Sequence, residues 1–331
     1  MIPAALLMRA DLPDQLFSPA DRARLDRLLA LAPGTWTSWA DASPAALRRT
    51  ELLVTGWGCP RVGAAELAGL PRLRAVVHTG GSVKDLLDPA VWARGIRVTS
   101  SARANAVPVA DYTVAMVLLA GKNVLAAAAR YRHTLDRRAL LTGYPETGNA
   151  DRTVGLLGAS RVGRLVAARL SGLGFRLLCH DPYLDADDAR RLGVRPVSLN
   201  RLFAEASIVS LHAPLTPDTA GMVGAAELAL MPDGGTLINT ARAGLLDQDA
   251  LLVHLRSGRL SAVLDVTDPE PLPLDHPLRE LPNVLITPHV AGAQGTELRR
   301  LGDQAVQEVE RFVDGRPPAD PVPAEQLPFL A

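Results

Sequence analysis

The chain has 331 residues, of which 48% are hydrophobic and 21% are charged. This length suggests two domains of about 150 residues each, and the apolar content excludes wholesale disorder. Lysine plus arginine (35) equals aspartate plus glutamate (35), so the formal net charge is zero. That balance argues against a nucleic-acid-binding protein and against a polybasic membrane-surface protein, because both classes usually carry a basic excess.

The cysteine content indicates neither a zinc site nor a disulfide scaffold. Cys59 and Cys179 have no CxxC spacing and belong to no cysteine–histidine cluster, so we expect reduced thiols in a cytoplasmic protein without a metal. The first ten residues lack the basic start of a signal peptide. The longest apolar stretch, residues 114–120, is far below the about 20 residues that a membrane helix needs.

The first part of the chain alternates between apolar runs and helical stretches. The predicted strands are Ala5–Met8, Leu52–Thr55, Ala75–His78 and Ile96–Thr99. The predicted helices are Pro19–Ala30, Pro44–Arg49 and one long helix over Val107–Arg130. A change of pattern near Asn105 suggests a domain boundary.

From Thr153 onward the alternation of strands and helices is regular. The predicted strands are Thr153–Leu157, Phe175–His180, Ser207–Leu211, Thr236–Asn239, Ala262–Val266 and Val284–Thr287. The predicted helices are Arg164–Leu173, Asp185–Leu192, Leu199–Ala206, Ala225–Leu230, Gln248–Arg256 and Thr296–Val313. Continuous apolar strands that alternate with helices predict a doubly wound parallel sheet, covered on both faces.

A glycine-rich loop follows the strand Thr153–Leu157 and precedes a helix. It contains Gly158 and Gly163, with Ser160 where the middle glycine of the dinucleotide fingerprint is expected, and Asp181 ends the next strand. The glycines allow a tight turn and close helix–strand packing, and the helix N-terminus favours a pyrophosphate. An acidic residue at this spacing binds ribose hydroxyls and repels a 2′-phosphate, so the pattern predicts NAD rather than NADP. A tight turn that binds nothing is the alternative.

Three ionisable residues follow three different strands of the predicted sheet. Arg242 follows Thr236–Asn239, and Glu270 and His289 follow the next two strands. Ligands bind beyond the carboxyl ends of parallel strands, so the three side chains can meet there. An imidazolium can protonate the alkoxide left by hydride transfer, a carboxylate can orient the ring, and a guanidinium can bind a substrate carboxylate. A surface arginine, a turn glutamate and a packed histidine are the alternatives.

These residues lie in segments that resemble the D-isomer-specific 2-hydroxyacid dehydrogenases, the family that includes phosphoglycerate dehydrogenase and glyoxylate/hydroxypyruvate reductase. The segments are 153–163, 211–247 with LHAPLTPDTAGMV and INTARAGLLD, and 264–292 with LDVTDPEPLP and ITPHVAG. The resemblance implies that Arg242, Glu270 and His289 are catalytic and that a small D-2-hydroxy or 2-oxo acid is the substrate. It also implies cofactor contacts at Ser160, Arg161, Val162, Asp181, His212, Ala213, Pro214, Thr240 and Asp265, beside Gly158 and Gly163 of the fingerprint.

The family also implies a domain plan and a partner. A Rossmann NAD-binding domain, residues 105–294, is expected to be inserted into a discontinuous flavodoxin-like substrate domain, residues 1–104 and 295–331. Homodimers are expected to form through the NAD-binding domain. Because the chain ends at residue 331, we expect no appended regulatory domain.

The loop 78–84 is the expected substrate-binding segment of the first domain. The backbone amides of Gly80, Gly81 and Ser82 correspond to those that bind the substrate carboxylate in the family, together with Arg242. We hypothesise that Lys84 or His78 favours a substrate with a second anionic group. A surface role for Lys84 is the alternative.

Two other functions share the same motifs. Formate oxidation is disfavoured, because formate-oxidising members have glutamine where Glu270 stands, whereas phosphite oxidation keeps all three residue types. A non-catalytic NAD(H)-sensing corepressor also keeps the three residues and is the alternative from another class.

Overall fold

Two separate parallel sheets organise the chain in the computed structural model, which describes residues 1–134, 136 and 147–329. The chain divides into two units, one of Met1–Ala106 with Ala293–Ala331 and the other of Val107–Gly292. The first unit holds a five-stranded sheet and the second a seven-stranded sheet. The prediction of two α/β domains built on parallel sheets is confirmed.

The strands and helices of the described residues are numbered in chain order. The strands are β1 (Ile2–Leu7), β2 (Leu29–Trp36), β3 (Leu52–Thr55), β4 (Ala75–His78), β5 (Arg97–Ser100), β6 (Thr153–Leu157), β7 (Arg176–His180), β8 (Arg195–Pro196), β9 (Ile208–Leu211), β10 (Thr236–Asn239), β11 (Ser261–Leu264) and β12 (Val284–Ile286). The helices are α1 (Leu12–Leu16), α2 (Pro19–Leu28), α3 (Pro44–Arg49), α4 (Ala64–Gly69), α5 (Ala90–Ala93), α6 (Ala102–Gly121), α7 (Val124–Tyr131), α8 (Arg161–Ser171), α9 (Ala186–Leu192), α10 (Leu199–Glu205), α11 (Ala225–Leu230), α12 (Gln248–Arg256) and α13 (Leu298–Val313).

The first sheet has the strand order β2-β1-β3-β4-β5. Successive residues of its strands pack on opposite faces, so that Leu52 and Val54 enter one apolar cluster and Leu53 enters another. Helices α1, α2 and α13 cover the first face, whereas α3, α4 and α5 cover the second. This two-sided burial explains why these strands appear in the sequence as continuous apolar runs.

Strand β2 has no counterpart among the strands predicted from the sequence. The predicted helix over Pro19–Ala30 ends earlier, because Leu29 is already extended and begins β2. The strand contains Pro33 and Gly34, which are typical of a turn, and its register with β1 shifts at this point. Proline is tolerated here because β2 lies at the edge of the sheet, where a missing N–H donor breaks no ladder.

The predicted single helix over Val107–Arg130 is wrong. The structure has two helices, α6 and α7, which are separated at Asn123, a residue with a left-handed backbone (φ 51°). Asparagine tolerates this conformation better than most residues, so it can end one helix and begin another. Among the described residues, α6 is long and apolar enough to cross a membrane. Buried helices of globular proteins pass the same test, and Ala110, Thr113 and Val117 are completely buried in the second unit.

The second sheet has the strand order β12-β11-β10-β9-β6-β7-β8. All of its paired strands are parallel, so their carboxyl ends meet at one edge. The strand order reverses between β6 and β9, which are neighbours in the sheet. That reversal is the switch point at which open α/β sheets bind ligands.

Candidate active site

The loops at the carboxyl ends of the strands carry the predicted site residues of the second unit. Gly158 follows β6, Asp181 follows β7 and His212 follows β9. The loops after β10, β11 and β12, which are adjacent in the sheet, carry Arg242, Glu270 and His289. The topology therefore brings the predicted cofactor residues and the predicted catalytic residues to one edge.

Gly158 and Gly163 leave room for a close backbone approach at the end of β6. Gly158 has φ +103°, and a Cβ placed on it would lie 2.5 Å from the backbone nitrogen of Ala213. A Cβ on Gly163 would clash with the carbonyl oxygen of Gly158. Both positions therefore require glycine, as the predicted dinucleotide turn demands.

Ser160 has a structural task that accounts for its place in the fingerprint. It is the N-cap of α8, and its Oγ accepts a hydrogen bond from the Gly163 N–H at 3.3 Å. An N-cap serine satisfies one of the first N–H groups of a helix, which have no acceptor within the helix. Arg161 and Val162 are the first two residues of the helix, where backbone N–H groups have no acceptor within the helix and can bind an anion.

Asp181 ties the glycine loop to the end of β7. One carboxylate oxygen accepts a hydrogen bond from the Ala159 N–H at 2.6 Å, and the other accepts one from the Tyr183 N–H at 2.7 Å. Each carboxylate oxygen can accept a further hydrogen bond. The structure thus places a negative charge beside the first turn of α8, where it can meet ribose hydroxyls.

His212 is buried against the glycine loop. It is 4% exposed, and a Cβ placed on Gly163 would lie 3.3 Å from the Cβ of His212. Neither ring nitrogen has a hydrogen-bond partner among the described residues. Burial lowers the pKa of His212 to about 3, so the ring is neutral and offers one donor and one acceptor. Buried polar atoms without a partner need an explanation. The two ring nitrogens of His212, together with the close approach at Gly158 and Gly163, fit a bound dinucleotide.

Glu270 and His289 form the best-defined pair of the edge. The Nδ1 atom of His289 lies 2.8 Å from Oε1 of Glu270. Both side chains are about half exposed, with 49% for His289 and 42% for Glu270. Because a carboxylate can only accept, Nδ1 carries the proton of this hydrogen bond, and Nε2 is left to exchange a proton with a ligand.

The backbone of His289 is held in the left-handed region, with φ +56°. Its N–H donates to the carbonyl oxygen of Asp265 at 3.0 Å, and the carboxylate of Asp265 accepts hydrogen bonds from the N–H groups of Val290 and Ala291. Asp265 is 1% exposed. A strained residue persists only when its surroundings fix it, and here one buried aspartate holds His289 and the two residues that follow it.

Arg242 stands in a turn that Asn239 holds. The completely buried Asn239 side chain donates to the Arg242 carbonyl oxygen at 2.9 Å and accepts from the Ala241 N–H at 3.0 Å. The Arg242 guanidinium is partly buried and donates to the Ala241 carbonyl oxygen at 2.6 Å. Thr240, predicted to contact the cofactor, bonds through its hydroxyl to that of Thr113 in α6.

A similar brace supports the loop of Glu270. The side chain of Gln248, the first residue of α12, donates to the Asp268 carbonyl oxygen at 2.9 Å and accepts from the Asp268 N–H at 3.2 Å. Thr267 donates to the Pro269 carbonyl oxygen at 3.0 Å. Hydrogen bonds therefore hold the backbone of Asp268 and Pro269, the two residues before Glu270.

The predicted substrate loop follows β4 in the first unit. The His78 side chain is buried beneath Gly80, and a Cβ placed on Gly80 would lie 2.5 Å from Nε2 of His78. The Nδ1 atom of His78 lies 2.9 Å from the Thr55 hydroxyl oxygen. Burial lowers the pKa of His78 to about 4, so the hypothesis that His78 attracts an anionic group is wrong: the ring is neutral and inside. Lys84 is exposed, and its N–H donates to Ser82.

Sequence reasoning missed the residues that position the loops of Arg242, Glu270 and His289. Asn239 and Gln248 act through hydrogen bonds to backbone atoms, and Tyr112 in α6 bonds to Thr287 beside His289. A buried polar residue at the end of an apolar strand was the available signal for Asn239. No local signal marks Tyr112 or Gln248, because each acts on a loop far away in sequence.

The seven-stranded sheet, the glycines at the end of β6 and the contact between His289 and Glu270 are typical of a dinucleotide-binding domain of the dehydrogenase type. The NAD-binding domain of the D-isomer specific 2-hydroxyacid dehydrogenases matches residues 114–291. The D-3-phosphoglycerate dehydrogenase of Mycobacterium leprae is 32% identical over 311 residues, 92% of this chain and 58% of its own length. The glyoxylate reductase of Korarchaeum cryptofilum is 33% identical over 269 residues, 80% of each chain.

A solved structure extends the similarity to both units. The crystal structure of the TT0316 protein from Thermus thermophilus is 32% identical, covers 96% of this chain and 99% of its own, and has a TM-score of 0.77. The chain belongs to the D-isomer specific 2-hydroxyacid dehydrogenase family. It spans 58% of the length of the mycobacterial relative.

Proposed function

We propose that the chain is an NAD-dependent oxidoreductase that interconverts a small 2-oxo acid and the D-2-hydroxy acid. The observation that carries this proposal is the 2.8 Å contact between His289 Nδ1 and Glu270 Oε1 at the carboxyl edge of an NAD-binding sheet. An acid–base pair at this edge suits a reaction in which a carbonyl becomes a hydroxyl.

In the reductive direction, His289 supplies the proton. The imidazolium donates from Nε2 to the carbonyl oxygen as negative charge develops there, and Glu270 holds the ring through Nδ1 and stabilises its positive charge. In the oxidative direction the neutral ring takes the proton of the substrate hydroxyl. Positioned proton transfer of this kind accelerates a reaction by about 10²- to 10⁴-fold.

Arg242 binds the substrate carboxylate. Its guanidinium offers donors in a fixed fork that matches a carboxylate, and its charge also polarises the neighbouring carbonyl group. The Asn239 clamp on the turn fixes the backbone from which the guanidinium extends. The amides of Gly80, Gly81 and Ser82 are proposed to contribute to the same recognition.

The residues of the glycine loop are proposed to hold the dinucleotide. When bound, NADH supplies the hydride that is added to C2 of the 2-oxo acid. Arg161 and Val162 at the start of α8 bind the pyrophosphate, Asp181 binds the ribose, and His212, Ala213, Pro214, Thr240 and Asp265 line the remaining contacts. The negative charge of Asp181 favours NADH over NADPH.

The two units have different roles in this proposal. The unit of residues 107–292 binds the cofactor and carries Arg242, Glu270 and His289, and the other unit contributes the loop 78–84 to substrate recognition. We further propose a cytoplasmic homodimer that associates through the NAD-binding unit. Relatives named for D-3-phosphoglycerate and for glyoxylate support a small anionic substrate, and exposed Lys84 is a candidate for contacting a second anionic group.

A substrate panel tests the proposal. Glyoxylate, hydroxypyruvate, its phosphorylated form, pyruvate and a branched 2-oxo acid are each offered with NADH and with NADPH, and NADH absorbance is followed. Phosphite and formate are offered with NAD⁺ in parallel. We expect turnover of at least one 2-oxo acid, with a higher kcat/KM for NADH. Turnover of phosphite alone, or tight NADH binding without turnover of any acid, would replace this proposal by phosphite oxidation or by cofactor sensing.

A further inference from the structure

A chain of hydrogen bonds joins α6 to the loop that carries His289. The phenol oxygen of Tyr112 lies 2.8 Å from the Thr287 hydroxyl oxygen, which in turn lies 2.6 Å from Oδ1 of Asp265. Tyr112 is half-buried and Asp265 is buried. Tyr112 is far from the other two residues in the sequence, so only the fold brings the three together.

The two hydrogen bonds run in the same direction, from Tyr112 to Thr287 and from Thr287 to Asp265. Oδ1 of Asp265 accepts from the Thr287 hydroxyl and from the Val290 N–H, so the Thr287 oxygen is left to accept from Tyr112. Burial raises the pKa of Tyr112 above its usual value, which keeps the phenol protonated and able to donate. Hydrogen bonds that run in one direction polarise and strengthen one another.

Asp265 transmits this restraint to His289. Its carboxylate accepts from Thr287, two residues before His289, and from Val290 and Ala291, the two residues after it. Its carbonyl oxygen accepts from the N–H of His289 itself. The backbone around His289 is therefore held by Asp265 and by the Thr287 carbonyl oxygen, which accepts from the His289 N–H at 2.9 Å, and Tyr112 contacts this network through the Thr287 hydroxyl.

We propose that Tyr112 is a positioning residue for the acid–base group, acting on His289 through Thr287 and Asp265. Its hydrogen bond goes to Thr287 rather than to Glu270 or the ring of His289, and it sets the backbone from which the ring extends. This inference rests on the proposed function, because it assigns Tyr112 to the reaction of His289. The part that concerns the loop alone can be tested without turnover.

The adjacent residue of α6 provides an internal comparison. Thr113 is completely buried, donates to the Val109 carbonyl oxygen at 2.8 Å and bonds to the Thr240 hydroxyl at 2.9 Å. Thr240 lies two residues before Arg242, so Thr113 contacts a different catalytic loop. Neighbouring side chains of one helix thus contact the loop of the proton donor and the loop of the guanidinium.

Tyr112→Phe removes only the phenol oxygen and tests the proposal. We expect kcat to fall about tenfold, which corresponds to the loss of one hydrogen bond, with the KM for NADH unchanged within about twofold. Thr287→Val removes both bonds of the threonine and should lower kcat further, whereas Thr287→Ser keeps the hydroxyl and should restore activity. Because the two groups act in one chain, the double variant Tyr112→Phe/Thr287→Val should resemble Thr287→Val alone.

Hydrogen exchange measured by mass spectrometry reads the loop directly. The amides of His289, Val290 and Ala291 are all donors to Asp265, so peptides that cover 284–292 should exchange faster in Tyr112→Phe than in the unaltered protein. Thr113→Val, a change in the same helix, should leave exchange in this peptide unaltered. Tyr131→Phe, at an exposed tyrosine, should leave both exchange and kcat unaltered.

The outcomes separate this inference from the proposed function. The positioning role of Tyr112 would be overturned if hydrogen exchange over 284–292 were unchanged in Tyr112→Phe. It would also be overturned if Thr113→Val accelerated that exchange equally. A kcat within about twofold of the unaltered enzyme would overturn it as well. If the unaltered protein turned over no 2-oxo acid, the proposed function would fail, whereas faster exchange in Tyr112→Phe alone would still support the control of the loop by Tyr112.

Discussion

The imidazole of His289 and the carboxylate of Glu270 meet at 2.8 Å, although they leave two different strands, β12 and β11. Hydrogen bonds from other residues restrain both loops. Gln248 braces the Glu270 loop, and Asp265 holds His289 in a left-handed conformation. Hydrogen bonds within the folded chain therefore hold the pair in place, and the proposed proton transfer depends on such positioning.

Glu270→Gln tests the charge of the pair. The amide keeps the size of the side chain and can still accept a hydrogen bond from Nδ1, but it cannot stabilise the imidazolium by charge. We expect kcat for 2-oxo acid reduction to fall about 10- to 100-fold. The Kd of NADH, measured by its fluorescence, should be unchanged. Glu280→Gln, at an exposed glutamate of the same unit, is the matched control, and equal rates for the two variants would contradict the role of Glu270.

Arg242→Lys separates charge from geometry at the substrate carboxylate. Lysine keeps the positive charge but loses the paired donors, so we expect the KM of the 2-oxo acid to rise about tenfold or more. Arg242→Ala should lose binding and rate together. Arg256→Lys, in an exposed position of α12, serves as control. An unaltered kcat/KM in Arg242→Ala would contradict the assignment.

Ser160→Ala tests the cap at the glycine loop. Loss of an N-cap side chain costs about 1 kcal/mol of stability, whereas Ser160→Gly should cost only a few tenths. Ser198→Ala removes a comparable cap from α10 and should lower stability similarly in thermal unfolding followed by circular dichroism. Only Ser160→Ala should also change the Kd of NADH. Equal NADH affinity in both variants would show that Ser160 is a cap and nothing more.

The buried histidine of the first unit makes stability depend on pH. Burial lowers the pKa of His78 from 6.5 to about 4, so the unfolded chain binds a proton in this range that the folded chain does not. The free energy of unfolding should therefore be complete above about pH 6.5 and fall as the pH falls toward 4, by up to about 1.4 kcal/mol per pH unit for this group.

His78→Asn isolates this effect, because asparagine can still meet Thr55 but does not titrate. All four tryptophans (Trp36, Trp39, Trp57 and Trp92) lie in the unit that holds His78, so their fluorescence in urea reports its unfolding. Between pH 7 and 5 the unaltered protein should lose about 1 to 2 kcal/mol more than the variant. Exposed His133→Asn should follow the unaltered protein. The same loss in all three proteins would contradict a neutral buried His78.

The sequence predicts the fold wherever burial on both faces leaves a continuous apolar strand. Every residue of strands β9 and β10 is buried, and the predicted strands match them within one residue. Strand β2 could not be found, because Pro33 and Gly34 are accommodated only by its position at the edge of the sheet. The break at Asn123 was missed for a related reason: the alanine-rich residues on either side favour helix equally, and tertiary structure decides where the helix ends.

The candidate site shows the same division. The contact between Glu270 and His289 could be predicted because each follows a strand of one parallel sheet, and for Arg242 the same reasoning predicts a place at the same edge. The hydrogen bonds that orient them could not be predicted, since those of Tyr112, Asn239 and Gln248 depend on the packed positions of distant loops. The burial of His78, which lowers its pKa, could not be predicted either, since the sequence allowed the hypothesis that this residue favours a second anionic group.

His289→Gln provides the most direct test of the account. Glutamine fills similar space but cannot exchange a proton near neutral pH, so kcat for the best 2-oxo acid should fall about 10²- to 10⁴-fold. The Kd of NADH, measured on the same preparation, should stay within about twofold of that of the unaltered enzyme. A variant that binds NADH normally and keeps a kcat within a few-fold of the unaltered enzyme would contradict the assignment of His289 as the acid–base group.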